Sequence, residues 1–141
     1  MSDRLSPRLK EIVDALPLKP GIRVLEIGCA TGIVAREILK RIGNGYVLGI
    51  DRSDKAIQKA IALSEEEIKT GGLAFRQVAI ENFALIKGDA PFDLVFGIRV
   101  GALDGRHPSA GELAFDRIAK ILKPNGKFYI DGGNPLKEIK F

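Results

Sequence analysis

The chain has 141 residues, a hydrophobic fraction of 45%, a charged fraction of 28% and a formal net charge of +4, which is the composition of an ordinary globular protein. This composition excludes a membrane-spanning helix, because no apolar run approaches about 20 residues, and an internal disulfide, because there is one cysteine. The N-terminal residues also lack the apolar segment of a signal peptide. We therefore expect a globular domain in the cytoplasm.

The basic residues are spread along the chain rather than clustered. A solvated surface is the simpler interpretation of the positive charge, and a weak attraction to nucleic acid or other anions is the alternative. The chain contains no run of about five or six basic residues, which would have favoured that alternative. The histidine, the cysteine and the carboxylates do not stand at metal-ligand spacing, so we expect no metal site.

The first half of the chain predicts a helix followed by two strand–helix units. Ser6 and Pro7 are typical of a helix start, and apolar residues then follow at helical spacing. The first strand, "IRVLEI", is apolar on both faces, as in a buried parallel sheet. A helix over residues 33–42 precedes the second strand, "YVLGI", which ends at Asp51. Ser53 caps the next helix, which ends at Gly71 and Gly72.

The second half continues the alternation. The third strand is "LAFRQVAI" and the fourth is "FDLVFGI", followed by a loop over residues 99–108. Ser109 and Glu112 have the spacing of a capping box and predict the start of the last helix. "LKPNGK" predicts a turn, and "KFYIDG" predicts the fifth strand. This alternation predicts an α/β fold with a parallel sheet covered by helices on both faces.

In such a sheet, ligands bind beyond the carboxyl ends of the strands. A loop poor in side chains, Gly28–Gly32, follows the first strand, and the next helix offers free N–H groups. Asp51 ends the second strand, where a carboxylate can accept two hydrogen bonds from a ribose diol. The loop lacks the G-x-G-x-x-G fingerprint of dinucleotide sites and the Gly-Lys-Ser/Thr of phosphate loops. These features predict a nucleoside site without a pyrophosphate.

The stretch "VLEIGCATG" resembles the first motif of class I S-adenosylmethionine-dependent methyltransferases, usually written hh(D/E)hGxGxG. Asp51 matches the acidic residue of the second strand, "FDLVFGI" resembles the fourth-strand motif, and "ILKPNGKFYI" is similar to the turn and fifth strand of that family. The resemblance covers residues from about Ile22 to Asp131. It implies a Rossmann-like doubly wound sheet with strand order 3-2-1-4-5 and S-adenosylmethionine as the cofactor.

The resemblance also implies roles for individual residues. By this resemblance, Glu26 lies near the ammonium end of the cofactor and Asp51 binds the ribose. Ile80 and Glu81 lie around the adenine, and the backbone of Gly97 lies beneath the methionine part. Ala30 replaces the middle glycine of the family loop. Glu81 could instead cap a helix start. The implied cofactor-binding residues are Glu26, Gly28, Cys29, Ala30, Gly32, Asp51, Arg52, Ile80, Glu81 and Gly97.

Residues in the loop after the fourth strand are the candidates for the acceptor side. His107 could act as a general base, or it could be an exposed loop histidine. Arg99 and Arg106 could bind an acidic substrate or simply be solvated, and Asp104 has a weaker case. No Asn/Asp-Pro-Pro-aromatic stretch follows the fourth strand, which argues against methylation of exocyclic amines. We therefore expect methyl transfer to a small molecule, at a site roofed by the N-terminal helix and this loop.

Alternatives to that activity are a non-catalytic cofactor-binding module, a subunit that needs a partner, or an RNA methyltransferase without its recognition domain; an NAD-binding domain is least favoured. We expect one domain, with a helical cap over residues 1–20, a core over 21–131 and a short tail over 132–141. The fold is thus shortened after the fifth strand, and a truncated chain is an alternative. Because an open strand edge is a liability, we expect residues 136–141 to fold back on it, or a second copy of the chain to cover it.

Overall fold

The computed structural model describes residues 4–86, 88–101, 103 and 106–141. Within them, six strands form one sheet in the order β3-β2-β1-β4-β5-β6. The strands are β1 (Arg23–Ile27), β2 (Tyr46–Asp51), β3 (Leu73–Gln77), β4 (Phe92–Gly97), β5 (Leu122–Asp131) and β6 (Leu136–Ile139). The helices are α1 (Pro7–Ala15), α2 (Ile33–Ile42), α3 (Asp54–Leu63), α4 (Glu65–Lys69) and α5 (Pro108–Ile121). None of the helices in these ranges is long and apolar enough to cross a membrane.

Strands β1 to β5 pair in parallel, which confirms the expected order of the first five strands. Successive side chains of a strand point to opposite faces. Val24 accordingly packs in the hydrophobic cluster beneath α1 and α2, whereas Leu25 packs in the cluster beneath α5. The sheet is therefore covered on both faces, which is the predicted doubly wound α/β architecture.

Serine side chains start two of the helices where the sequence predicts them. The Ser6 hydroxyl accepts the N–H of Leu9 at 3.2 Å, and the Ser53 hydroxyl accepts the N–H of Ala56 at 3.1 Å. The expected single helix after Ser53 is two helices, because the backbone leaves the helical conformation at Ser64.

Two further boundaries differ from the prediction. The last helix begins at Pro108 with His107 at the N-cap, so Ser109 lies inside the first turn and is not the cap. Proline is favoured in the first helical turn because its missing N–H would have no partner there. The third strand ends at Gln77, and a short 3₁₀ turn, Ile80–Asn82, follows it.

The region predicted as a turn before the fifth strand is a bulged start of that strand. Leu122 pairs with Phe92, but the next registered pair joins Lys127 to Leu94, so the residues between them loop out of the ladder. Pro124 within this segment has no N–H to donate to a neighbouring strand.

The chain itself covers the outer edge of β5. Strand β6 pairs antiparallel with it, from Phe128 opposite Ile139 to Asp131 opposite Leu136. This pairing confirms the expectation that the C-terminal residues fold back on the edge, and it leaves no need for a second copy of the chain at β5.

Candidate functional site

A cleft of about 540 Å³ lies beyond the carboxyl ends of the central strands. One half is formed by the ends of β1 and β2 and by the segment after β3; the other half is formed by the segment after β4 and the start of α5. The residues that line it are Ile27, Gly28, Ile50, Asp51, Arg52, Val78, Ala79, Ile80, Glu81, Ile98, Arg99, Val100, Gly101, Arg106, His107 and Ala110.

The cleft brings together seven of the predicted site residues, namely Gly28, Asp51, Arg52, Ile80, Glu81, Arg99 and His107. Glu26, Cys29, Ala30, Gly32 and Gly97 are absent from its described lining. Helix α1 also contributes no described residue to the lining. It packs instead against α2 on one face of the sheet, so the expectation that α1 roofs the site is not met.

The glycine-rich loop is held in a tight shape by backbone hydrogen bonds. The N–H groups of Gly28 and Cys29 both donate to the carbonyl of Ile50, at 2.8 and 2.9 Å. Gly28, Ala30 and Gly32 have φ values of 75°, 49° and 88°, a region that glycine adopts readily and other residues rarely do. A side chain at Gly32 would also lie 2.8 Å from the ring of Phe75. The residue of the loop that lines the cleft, Gly28, therefore presents only backbone to it.

Asp51 links this loop to the second strand. Its Oδ2 atom accepts the N–H of Ala30 at 2.9 Å, and its Oδ1 atom accepts the N–H of Ser53 at 2.9 Å. The first of these bonds holds Ala30 in its left-handed conformation. Each carboxylate oxygen has a second lone pair, so Asp51 can still accept hydrogen bonds from a ligand in the cleft.

Glu26 is buried behind the loop, with 3% of its surface exposed. Its Oε1 atom accepts no hydrogen bond from the described residues. Burial and, to a smaller extent, the nearby charge of Asp51 raise its pKa to about 8, and Arg36 opposes the shift. A buried acceptor without a donor is costly, so this carboxyl group suits a ligand that brings a cationic N–H donor.

Cys29 is a packing residue in this structure. Its side chain is buried, and burial raises the pKa of the thiol, with Glu26 and Asp51 adding to the shift. A thiol that stays protonated is a poor nucleophile.

The 3₁₀ turn after β3 packs against α5 and contributes Ile80 and Glu81 to the lining of the cleft. Ala79 is the N-cap of this turn, and Glu81 lies inside it, so Glu81 does not cap a helix start. Its side chain lines the cleft. Gly97 at the end of β4 is buried, and a side chain there would lie 2.6 Å from Leu103.

The acceptor-side candidates Arg99, Arg106 and His107 line the other half of the cleft, and Asp104 lies outside the described residues. The ring of His107 packs on Gly101, where an added Cβ would lie 2.8 Å from the ring atom Cδ2. Over the described ranges, no group of three or more His, Cys, Asp or Glu side chains could hold a metal ion.

Comparison with known sequences identifies the family. The profile of a family described as "Methyltransferase domain" matches residues 18–140, which is most of the chain. The chain belongs to the class I S-adenosylmethionine-dependent methyltransferase family. This membership confirms the resemblance of the sequence motifs.

Individual relatives of this methyltransferase-family chain are longer than it is. A sterol 24-C-methyltransferase of Gibberella zeae is 32% identical over 111 residues, covering 79% of this chain and 27% of the relative. Nocamycin O-methyltransferase of Saccharothrix syringae is 28% identical over 135 residues, covering 95% of this chain and 46% of that relative. A crystal structure of an S-adenosylmethionine-dependent methyltransferase from Mesorhizobium loti shares the fold with a TM-score of 0.71 at 24% identity. The match covers 89% of this chain and 53% of that protein. The chain therefore spans about a quarter to a half of these proteins.

Three residues that support the site in this methyltransferase-family domain were not predicted from sequence. Arg36 of α2 is buried and donates to the carbonyl of Thr31 in the loop at 2.8 Å and to the hydroxyl of Ser64 at 2.9 Å. Asp131 at the end of β5 accepts the backbone N–H of Arg99, and Gly101 admits the His107 ring. No local pattern marks them, because each acts through a contact made by the folded chain.

Proposed function

We propose that the chain binds S-adenosylmethionine and transfers its methyl group to a small-molecule acceptor. The observation that carries this proposal is the combination of residues that line the cleft. Asp51 and the 3₁₀ turn are the nucleoside-binding features, and Arg99 and His107 are polar residues of the same lining. The relatives named above methylate a sterol and nocamycin according to their names, which supports a small-molecule acceptor.

The residues present fit this cofactor. The orphaned Oε1 of Glu26 lies behind the loop and outside the described lining, as a buried acceptor on the side where the ammonium group would lie. The glycine loop leaves its backbone open because Gly28 has no side chain. When bound, the cofactor would supply a methyl group on a positively charged sulfur. The acceptor would take the methyl group by in-line displacement of that sulfur. Asp51 binds and orients the ribose, and the walls of the cleft position the acceptor and exclude water.

His107 is the candidate to remove a proton from the acceptor. It caps α5 without using its side chain for a capping hydrogen bond, and its imidazole lines the acceptor half of the cleft. Imidazole is the usual general base near neutral pH.

Calorimetric titration of the protein with S-adenosylmethionine, S-adenosylhomocysteine and NAD tests the proposed cofactor. We expect binding of the first two and not of NAD. Asp51→Asn should weaken cofactor binding by about 1–3 kcal/mol, because it removes the charge that accepts the ribose hydroxyls. Asp54→Asn is the matched control, since Asp54 is exposed on α3 and bonds only Gln58 among the described residues. NAD binding without the other two, or equal affinities for both variants, would contradict the assignment.

A subunit that binds the cofactor and needs a partner for catalysis is the second candidate. It is supported by a neighbour of the same fold, a putative methyltransferase whose structure was solved in complex with the Haloferax volcanii Trm112 methyltransferase activator. Cofactor binding with no methyl transfer to any member of a metabolite panel would support this candidate over the first. Salt-sensitive binding of RNA would instead support an RNA acceptor.

A further inference from the structure

Arg99 has an unusual backbone conformation at the edge of the cleft. Its φ is 56°, a left-handed value that a long side chain rarely adopts and that costs about 1–2 kcal/mol. Such strained residues cluster at functional sites, where surrounding contacts hold them in place. The strain at Arg99 therefore needs a contact that maintains it.

Asp131 provides that contact. Its Oδ1 atom accepts the backbone N–H of Arg99 at 2.9 Å, and its Oδ2 atom pairs with the guanidinium of Arg8 on α1 at 3.1 Å. The Asp131 side chain is 14% exposed and lies outside the cleft lining. Asp131 thus fixes the backbone of Arg99 while its second oxygen is occupied by another arginine.

The guanidinium of Arg99 remains available to a ligand. It has no hydrogen bond or ion pair with the described residues, and it lines the cleft. Arg106 and His107 line the same half, and the 14-residue helix α5 begins beside them with its positive end. The described acidic residues of the lining are Asp51, at the end of β2, and Glu81, in the 3₁₀ turn that packs against α5.

We propose that the acceptor carries a negatively charged group, a carboxylate or a phosphate, and that Arg99 is the residue that selects it. Asp131 is a positioning residue that holds Arg99 in the orientation for this contact. A planar guanidinium binds both anions through paired hydrogen bonds. This inference rests on the proposed function, because it names the chemical class of the acceptor for the same cleft.

Nuclear magnetic resonance titrations with small probes test the inference, with and without saturating S-adenosylhomocysteine. The probes are acetate for the carboxylate class, inorganic phosphate for the phosphate class and acetamide as the neutral control. We expect at least one anion to shift the backbone amide signals of Arg99, Gly101 and Ala110, and acetamide to shift them far less. Whichever anion binds more tightly identifies the class.

Arg99→Asn should weaken the binding of that anion about tenfold or more, because asparagine tolerates the left-handed backbone but carries no charge. Arg117→Gln on α5, outside the described lining, should leave the affinity unchanged. Asp131→Ala should weaken anion binding and Asp131→Asn should restore much of it, since asparagine keeps an oxygen for the Arg99 N–H. If Asp131 only stabilised the fold, the two variants would not differ in anion affinity in this way.

Anion shifts located elsewhere, equal shifts with acetamide, or unchanged affinity in Arg99→Asn would overturn the inference. If S-adenosylhomocysteine binds in calorimetry while any of these results is obtained, the inference fails and the proposed function stands. If it does not bind, the proposed function fails, and the titrations without it still report whether Arg99 binds anions.

Discussion

The carboxyl group of Glu26 lies at the end of a buried strand with one oxygen, Oε1, that has no donor among the described residues. In the unfolded chain this group ionises near its usual pKa of 4.5, whereas burial in the folded protein raises the pKa to about 8. Between these two pH values the folded state binds more protons than the unfolded state. The free energy of unfolding must therefore fall as the pH rises through this window.

We expect the unliganded protein to lose stability between pH 4.5 and about 8 through this group, by up to about 1.4 kcal/mol per pH unit. Glu26→Gln should remove this part of the slope, because glutamine does not titrate. Chemical denaturation at a series of pH values measures it, with Glu65→Gln on α4 as an exposed control. A slope that is the same in wild type and Glu26→Gln would show that Glu26 ionises normally.

At the level of elements, β6 decides how the sheet ends. It is four residues long, and it pairs with β5 through residues 128–131. Leu136 packs against the cluster beneath α1 and α2, and Ile139 packs against the cluster beneath α5. The strand therefore contributes to both layers of the core and covers an edge that would otherwise invite aggregation.

Leu136→Ala should lower the free energy of unfolding by about 1–2 kcal/mol, because the lost methyl groups contact the core from a half-buried position. Lys137→Ala, at the neighbouring exposed position of the same strand, should change it by less than about 0.5 kcal/mol. Urea denaturation of both variants provides the comparison. Equal effects of the two substitutions would mean that β6 does not pack as described.

At the level of the whole molecule, the cleft joins segments from four strands and α5, so a ligand that fills it contacts residues from both halves of the chain. A ligand that binds the folded state and not the unfolded state stabilises the fold as a whole.

S-adenosylhomocysteine at 100 times its Kd should stabilise the protein by about 2.7 kcal/mol and raise the Tm by roughly 5–15 °C. NAD at the same concentration should leave the Tm unchanged. Thermal unfolding followed by circular dichroism measures both. A shift with NAD as large as the shift with S-adenosylhomocysteine would indicate a site for nucleosides in general.

The sequence alone determines the features that depend on local patterns. Alternating periodicities predict the strands and helices, Ser6 and Ser53 mark helix starts, and the loop at Gly28 with Asp51 indicates the family and its nucleoside site. Local signals succeed here because capping, turn conformation and burial of alternate side chains act over a few residues. They fail at the start of α5, where Pro108 outweighs the pattern of Ser109 and Glu112.

Only the tertiary structure decides what distant residues do to each other. It leaves Glu26 as a buried carboxyl with a raised pKa, and it brings Arg36 against Ser64, 28 residues away. It also places Asp131 against the backbone of Arg99, 32 residues away, and so orients the side chain that we assign to the acceptor. Burial and hydrogen bonding between distant segments exist only after the sheet has assembled, so no local pattern of residues could encode them.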